Sequence, residues 1–157
     1  MPDADLTQGD AAPDFTLPRD GGGTIALTSH AGHPVVLYFY PRDDTPGCTT
    51  EAQEFTSLAP EFAAAGAAVL GVSKDTVAKH DSFRDKHELG VALLSDAEDD
   101  VCERYGVWVE KNMYGKKSFG VERATFLIDG AGRIARVWRK VKAQGHAEEV
   151  LTAVRAL

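Results

Sequence analysis

The sequence has little positive charge and no long apolar run, and each shortage excludes a class of protein. Its 157 residues include 17 Lys and Arg against 24 Asp and Glu, which gives a net charge of −7 at pH 7. A nucleic-acid-binding domain normally presents a basic surface, so we expect no nucleic-acid partner. The longest strongly apolar run, Val35 to Tyr40, has six residues. A membrane-spanning helix needs about 20, so we expect no membrane association.

Cysteine is also scarce, and an export signal is not visible. The first residues, Met-Pro-Asp-Ala-Asp, show neither a basic nor an apolar segment, so we expect a cytoplasmic, reducing compartment. Cys48 and Cys102 are the two cysteines of the chain. They are too few for a disulfide framework or a thiolate-rich zinc site, so we expect no metal and no cofactor. Either both are inert core residues, or at least one is a reactive thiol.

The apolar content is sufficient for one folded domain. Hydrophobic residues make up 43% of the chain and charged residues 26%, which is ordinary for a globular domain and excludes disorder. The length is that of a typical domain, and no internal repeat or linker interrupts it. We therefore expect a single domain over residues 1–157.

Short β-rich and helical segments alternate along the first half of the chain. The runs Phe15–Leu17 and Thr24–Leu27 flank a glycine cluster and predict an N-terminal β-hairpin. A buried strand at Pro34–Tyr40, a helix from Cys48 to Ala65 and a strand at Ala67–Ser73 then follow. This order predicts a right-handed βαβ unit with parallel strands.

The second half of the chain continues the alternation. We expect helices at Asp75–His87 and Asp99–Tyr105, with a short strand at Val91–Leu94 between them. Two further strands, Val121–Ile128 and Arg133–Arg139, lie before and after a Gly-rich turn, and a helix over Ala147–Leu157 closes the chain. The lysines around Tyr114 are expected in an exposed loop. Together these elements predict an α/β protein of thioredoxin-like arrangement, with a central mixed sheet flanked by helices.

The most informative segment is the loop between the first buried strand and the first helix. It reads PRDDTPGCT over residues 41–49, and binding crevices of α/β sheets form at such strand-to-helix loops. Pro46 and Gly47 set the turn and place Cys48 in the first helical turn, where unpaired N–H groups favour a thiolate. The residues alone leave two interpretations open, a reactive thiolate or a buried cysteine that packs as a small hydrophobe.

The same segment resembles the peroxiredoxins. Pro41, Thr45 and Cys48 match the PxxxTxxC signature of that family, and the run from Tyr40 to Thr49 is similar to the peroxiredoxin Q (bacterioferritin comigratory protein) subfamily. Four more blocks match in order along the chain: Ala12–Phe15, Val72–Ser73 with Asp75, Tyr105–Val107 and Arg123–Asp129. The resemblance implies a thiol peroxidase of antioxidant defence. Such an enzyme reduces hydrogen peroxide and organic hydroperoxides to water and alcohols through a cysteine sulfenic acid.

The resemblance also assigns roles to individual residues. Cys48 is the nucleophile, Thr45 binds the peroxide through a hydroxyl that both donates and accepts, and Pro41 shields the thiolate from water. Arg123 stabilises the thiolate and the charge of the transition state. The backbone N–H groups of Gly47 and Cys48 are expected to bind the substrate as further donors.

Some of these roles compete with ordinary structural ones. Thr45 also suits a helix N-cap, and Arg123 also suits an exposed strand arginine that pairs with Glu122 or Glu51. Glu51 follows Cys48 by one helical turn. We assign it a supporting role, the orientation of the Arg123 guanidinium.

The resolving cysteine that many subfamily members carry is missing from its two usual positions. Gln53 occupies one of them, and Phe83 and Arg84 stand at the other. We expect Cys102 to pack in the core rather than to resolve the sulfenic acid. The expected partners are therefore the peroxide and an external thiol reductant, namely thioredoxin, glutaredoxin or a low-molecular-weight thiol. We expect the protein itself to be a monomer.

Two other functions compete with the peroxidase. A thiol–disulfide oxidoreductase has the same fold, but the tetrad from Cys48 to Glu51 lacks the second thiol of a CxxC motif. A non-catalytic redox sensor or holdase could use the same scaffold. Repeated turnover of peroxide with an added thiol distinguishes an enzyme from a sensor.

Overall fold

A central sheet organises the protein in the computed structural model, which describes residues 6–157. Nine strands lie in this range: β1 (Thr16–Pro18), β2 (Thr24–Ala26), β3 (Val35–Phe39), β4 (Ala68–Ser73), β5 (Ala92–Ser95), β6 (Trp108–Met113), β7 (Lys116–Val121), β8 (Ala124–Ile128) and β9 (Ile134–Trp138). The α-helices in the same range are α1 (Pro46–Ser57), α2 (Ala59–Ala64), α3 (Val77–His87), α4 (Val101–Arg104) and α5 (His146–Arg155). A 3₁₀ helix, Leu27–His30, follows β2.

The central sheet has five strands in the order β5-β4-β3-β8-β9. Strands β3, β4 and β5 run parallel, whereas β8 is antiparallel to β3, and β9 is antiparallel to β8. Every residue of β3 and of β8 is buried, as expected for strands covered on both faces. The mixed sheet and the N-terminal β1–β2 hairpin confirm the predicted thioredoxin-like fold.

The two faces of this sheet bury two separate cores. Val36 and Tyr38 of β3 face a core built with α1, α2, α3 and α5. Leu37 and Phe39 face the other core, which contains the β1–β2 hairpin and α4. Both parallel connections, β3 to β4 and β4 to β5, step in the same direction across the sheet. Right-handed crossovers therefore place α1, α2 and α3 on one face.

Three predictions of secondary structure were wrong. The helix expected over Cys48–Ala65 is two helices, because Pro60 lacks an N–H and cannot continue the bonding of α1. The exposed loop expected around Tyr114 is the β6–β7 hairpin. Tyr114 and Gly115 form its turn with φ angles of 54° and 79°, which is the pattern of a type I′ turn. The expected strand Val121–Ile128 accordingly divides between the end of β7 and β8.

Within residues 6–157, no helix combines the length and the apolar character that crossing a bilayer requires.

Candidate active site

The pairing of β3 with β8 brings the two ends of the candidate site together. Phe39 at the end of β3 lies opposite Ala124 at the start of β8. The residue before β8, Arg123, is therefore beside the loop that leads from β3 into α1. This antiparallel register brings Arg123 next to a cysteine 75 positions earlier in the chain.

Cys48 lies in the first turn of α1, as predicted. The helix begins at Pro46 after Thr45 as N-cap, and Cys48 is its third residue. The side chain is 1% exposed, and its Sγ accepts a hydrogen bond from Nη2 of Arg123 at 3.3 Å. The buried sulfur thus has the guanidinium of Arg123 and the N-terminal end of a helix as its neighbours.

Arg123 bridges the cysteine and a buried carboxyl. Its Nη1 donates to Oε1 of Glu51 at 2.7 Å, while Nη2 donates to Cys48. Burial opposes the charge on Arg123, but the charges of Glu51 and Cys48 outweigh burial and raise its pKa. Glu122, the other carboxylate considered, pairs instead with Arg139 at 3.0 Å. Because the Arg123 guanidinium is planar, its two hydrogen bonds, to Glu51 and to Cys48, together fix its position beside the sulfur.

Gly47 has a steric role that the sequence analysis missed. A Cβ atom at this position would lie 3.1 Å from Nη2 of Arg123, a distance at which the guanidinium must move. The absence of a side chain at Gly47 lets Arg123 approach the start of α1. Its backbone N–H, in the first helical turn, has no acceptor within the helix and stays available to a ligand.

Glu51 is completely buried and titrates near neutrality. Burial raises its pKa to about 7, against the opposing charge of Arg123. Its Oε1 accepts from Arg123, whereas Oε2 has no hydrogen-bond partner among the described residues. Because of its position one turn after Cys48, its protonation state changes the net charge next to the sulfur.

Thr45 and Pro41 lie in the loop that precedes α1. The Thr45 hydroxyl donates to the backbone carbonyl of Arg42 at 3.0 Å, and it makes no capping bond to the helix. Its lone pairs therefore remain free to accept a hydrogen bond from a substrate. Pro41 is half-buried directly after β3.

Cys102 lies on the opposite face of the central sheet from Cys48. It is fully buried in α4, within the core that contains Leu37 and Phe39. Its amide donates to Oδ2 of Asp96 at 2.8 Å. Burial, followed by the charge of Asp96, raises the pKa of the Cys102 thiol far above its ordinary value. This thiol is therefore a poor nucleophile.

A polar cluster next to the loop was not found from the sequence. Ligand atoms of Asp43, Asp75 and His80 lie within 4.8 Å of one another. The contact between Nδ1 of His80 and Oδ2 of Asp43 is 2.6 Å, whereas two atoms that share a tetrahedral zinc ion lie about 3.3 Å apart. The contact is a hydrogen bond. The residues are 32 and 37 positions apart, and no sequence motif links them.

A thioredoxin-like sheet that presents one arginine-paired cysteine at a helix N-terminus defines a thiol-dependent redox enzyme. Comparison with known proteins is consistent with this class. Residues 8–137 match the AhpC/TSA family. The chain belongs to this family, among the peroxiredoxins of the Bcp or peroxiredoxin Q subfamily, and it is therefore a thiol-dependent peroxidase.

Three relatives show how far the similarity extends. Peroxiredoxin Bcp of Xanthomonas campestris is 49% identical over 156 residues, which cover 99% of this chain and 98% of the relative. The putative peroxiredoxin bcp of Coxiella burnetii is 53% identical over 143 residues, 91% of this chain and 95% of that one. A structure of the Xanthomonas campestris bacterioferritin comigratory protein superposes with a TM-score of 0.88 at 48% identity, covering 98% of both chains. The resemblance inferred from the sequence is confirmed.

Proposed function

We propose that Cys48 is the peroxidatic residue of this enzyme, assisted by Thr45, Arg123 and the first turn of α1. The observation that carries the proposal is the bridge in which Arg123 donates to Sγ of Cys48 at 3.3 Å and to Glu51 at 2.7 Å. A guanidinium in that place stabilises both the thiolate and the charge that moves onto the leaving oxygen.

The reaction follows from this arrangement. The Cys48 thiolate attacks the terminal peroxide oxygen, an S–O bond forms and the O–O bond breaks. The product on the protein is the Cys48 sulfenic acid. The other oxygen leaves as hydroxide or alkoxide and takes a proton from solvent to become water or an alcohol. Thr45 and the N–H groups of Gly47 and Cys48 hold the peroxide, while Pro41 limits the access of water.

Organic hydroperoxides are proposed as substrates alongside hydrogen peroxide. The Xanthomonas campestris relative has been described in terms of alkyl peroxide reduction. We extend that substrate range to this chain because the two structures superpose over 98% of their length.

An external thiol is proposed to complete the cycle. Cys102 is buried on the opposite face of the sheet, and disulfide formation needs Cα atoms within about 7 Å. Arg84, at one usual resolving position, is engaged with Asp20 and Asp85. We therefore propose thioredoxin, glutaredoxin or a low-molecular-weight thiol as reductant. We further propose that the enzyme acts in the cytoplasm as a monomer. Because both cores share one sheet, we also propose that it has a single domain.

Two serine variants test the proposal. Cys48→Ser is expected to abolish peroxide consumption with dithiothreitol, because a serine hydroxyl is not ionised at neutral pH. Cys102→Ser, the matched control, is expected to keep most of its turnover. Peptide mass spectrometry after one equivalent of peroxide should find a sulfenic acid at Cys48 that a dimedone-type reagent traps. Near-normal activity of Cys48→Ser refutes the nucleophile. A Cys48–Cys102 disulfide as main product, with loss of cycling in Cys102→Ser, refutes the external reductant.

A further inference from the structure

The loop that carries Thr45 is attached to α3 mainly through polar contacts. Of the residues of α3, only His80 and Phe83 are buried. A cleft of about 410 Å³ separates much of the loop from the helix, with Arg42, Asp44 and Lys86 among its lining residues. Apolar packing between the two segments is therefore sparse. The position of the loop depends on the hydrogen bonds across this cleft.

Asp44 makes two of these bonds at the surface, to Lys86 and His87. His80 makes one of them from a fully buried position and a further bond to β5. Its Nδ1 lies 2.6 Å from Oδ2 of Asp43, and its Nε2 lies 2.9 Å from the carbonyl oxygen of Leu94. A carbonyl only accepts, so Nε2 carries a proton, and the contact with the carboxylate needs a second one. The His80–Asp43 pair therefore carries one proton more than a neutral imidazole and an ionised carboxylate would carry together.

Asp43 is held from two further directions. Its Oδ1 accepts from the Tyr40 hydroxyl at 2.6 Å, and its backbone N–H donates to Asp75 at 2.8 Å. Asp75 also accepts from Ser73 at 2.6 Å. The segments that follow β3 and β4, together with helix α3, thus converge on one residue, two positions before Thr45.

Three groups that face the His80 ring favour its protonated form: Asp43 from the loop, Asp75 from the segment after β4, and the Leu94 carbonyl from β5. The Tyr40 ring, from the residue after β3, packs beside them. Burial alone lowers the pKa of His80, but the hydrogen bond and charge of Asp43 outweigh it and the pKa is raised. The extra proton on the His80–Asp43 pair is fully present at pH values below the ordinary histidine pKa of about 6.5. That proton is lost as the pH rises through the raised pKa of His80.

We propose that His80 is a positioning residue of the peroxidase, whose protonated ring holds Asp43 and thereby sets Thr45 and the first turn of α1 for the peroxide. The inference rests on the proposed roles of Cys48 and Thr45. Because Cys48 is 1% exposed, a reductant reaches its sulfur only after this first turn moves. The hydrogen bond between His80 and Asp43, which assists peroxide attack, therefore also restrains the movement of the first turn of α1 that reduction requires.

The test compares two half-reactions in His80→Gln and in His33→Gln, which makes the same change in an exposed loop. Wild-type Cys48 must first be shown to be oxidised by peroxide, so that a failure of the proposed function is recognised separately. We expect His80→Gln to slow stopped-flow oxidation of Cys48 by about tenfold or more. We expect it to speed alkylation of the same sulfur by iodoacetamide severalfold. His33→Gln should stay within twofold of wild type in both measurements.

Asp43→Asn provides a second variant if His80→Gln does not fold. An amide can donate to the neutral Nδ1, so the contact persists without the extra proton. We expect near wild-type oxidation at pH 7, but without the fall in rate that deprotonation of the pair causes at alkaline pH. The proposal is overturned if His80→Gln oxidises like His33→Gln, or if its oxidation and alkylation rates fall together. It is also overturned if Asp43→Asn keeps the alkaline fall.

Discussion

Replacing Arg123 with alanine removes a charged hydrogen-bond donor from the cysteine sulfur. Its side chain is 16% exposed, so solvent screens the interaction only partly. Two unit charges 3.3 Å apart interact by about 5 kcal/mol at an effective dielectric constant of about 20. Part of that interaction is already present in the thiolate before reaction. Loss of a transition-state donor typically slows catalysis by about 10²–10³-fold, and we expect a fall of that size in Cys48 oxidation.

The same substitution deprives Glu51 of its partner, yet we expect little loss of stability at pH 7. An unpaired buried charge usually costs about 3–5 kcal/mol. The pKa of Glu51 is already about 7, so completing its protonation at that pH costs only about 0.4 kcal/mol. Without Arg123 the folded-state pKa rises further above the unfolded value. Relative to wild type, stability is therefore lost by about 1.4 kcal/mol per pH unit as the pH rises from about 7 to the raised folded-state pKa of the variant, and no further beyond it.

Two measurements on Arg123→Ala separate these effects. Stopped-flow oxidation is followed from neutral to high pH, where the thiol is fully ionised, and urea unfolding is followed over the same range. Arg155→Ala, at an exposed position in the last turn of α5, serves as control. A rate equal to wild type at high pH would confine Arg123 to supplying the thiolate. A loss above about 3 kcal/mol at pH 7 would refute the protonation of Glu51.

Two further substitutions test the neighbours of Arg123. Gly47→Ala places a Cβ 3.1 Å from Nη2 of Arg123, so we expect the guanidinium to shift. Cys48 oxidation should slow by about three- to tenfold with little change in the free energy of unfolding. An unchanged oxidation rate would show that this close approach is unimportant. Glu51→Gln keeps an oxygen acceptor for Arg123 but removes the group whose pKa is about 7. We expect its oxidation rate to lose the pH-dependent step near neutrality, and a profile identical to wild type would contradict this.

Much of the fold was predictable because burial leaves a regular trace in the sequence. Strand β3 is apolar at every position, since it is covered on both faces. The β6–β7 hairpin left no such trace: Lys116, Lys117, Ser118 and Phe119 are all exposed, so no alternation of apolar and polar residues marks the strand. The break at Pro60 was visible in the sequence, but the apolar spacing that continues to Phe62 obscured it.

The site was predictable where it follows a local motif. Cys48, Thr45 and Gly47 belong to one loop and one helical turn, so their proximity follows from spacing alone. Arg123 was placed near them only by resemblance, and the structure supplies the physical reason in the β3–β8 register. The pairing of Asp43 with His80 depends on how α3 packs against β5. No local pattern records that packing.

The separation of the two cysteines is a property of the topology rather than of any one contact. Both parallel crossovers are right-handed, so the connections from β3 and from β4 return on the face that holds Cys48. The segment after β5 passes to the other face, where α4 buries Cys102. A disulfide between them would require local unfolding of at least one of the two helices, because each thiol is buried on its own face of the sheet. Position 84 lies on α3, on the same face as Cys48, and there Arg84 is paired with Asp20. The proposed dependence on an external thiol therefore rests on the order of the strands together with the arginine at position 84 of α3.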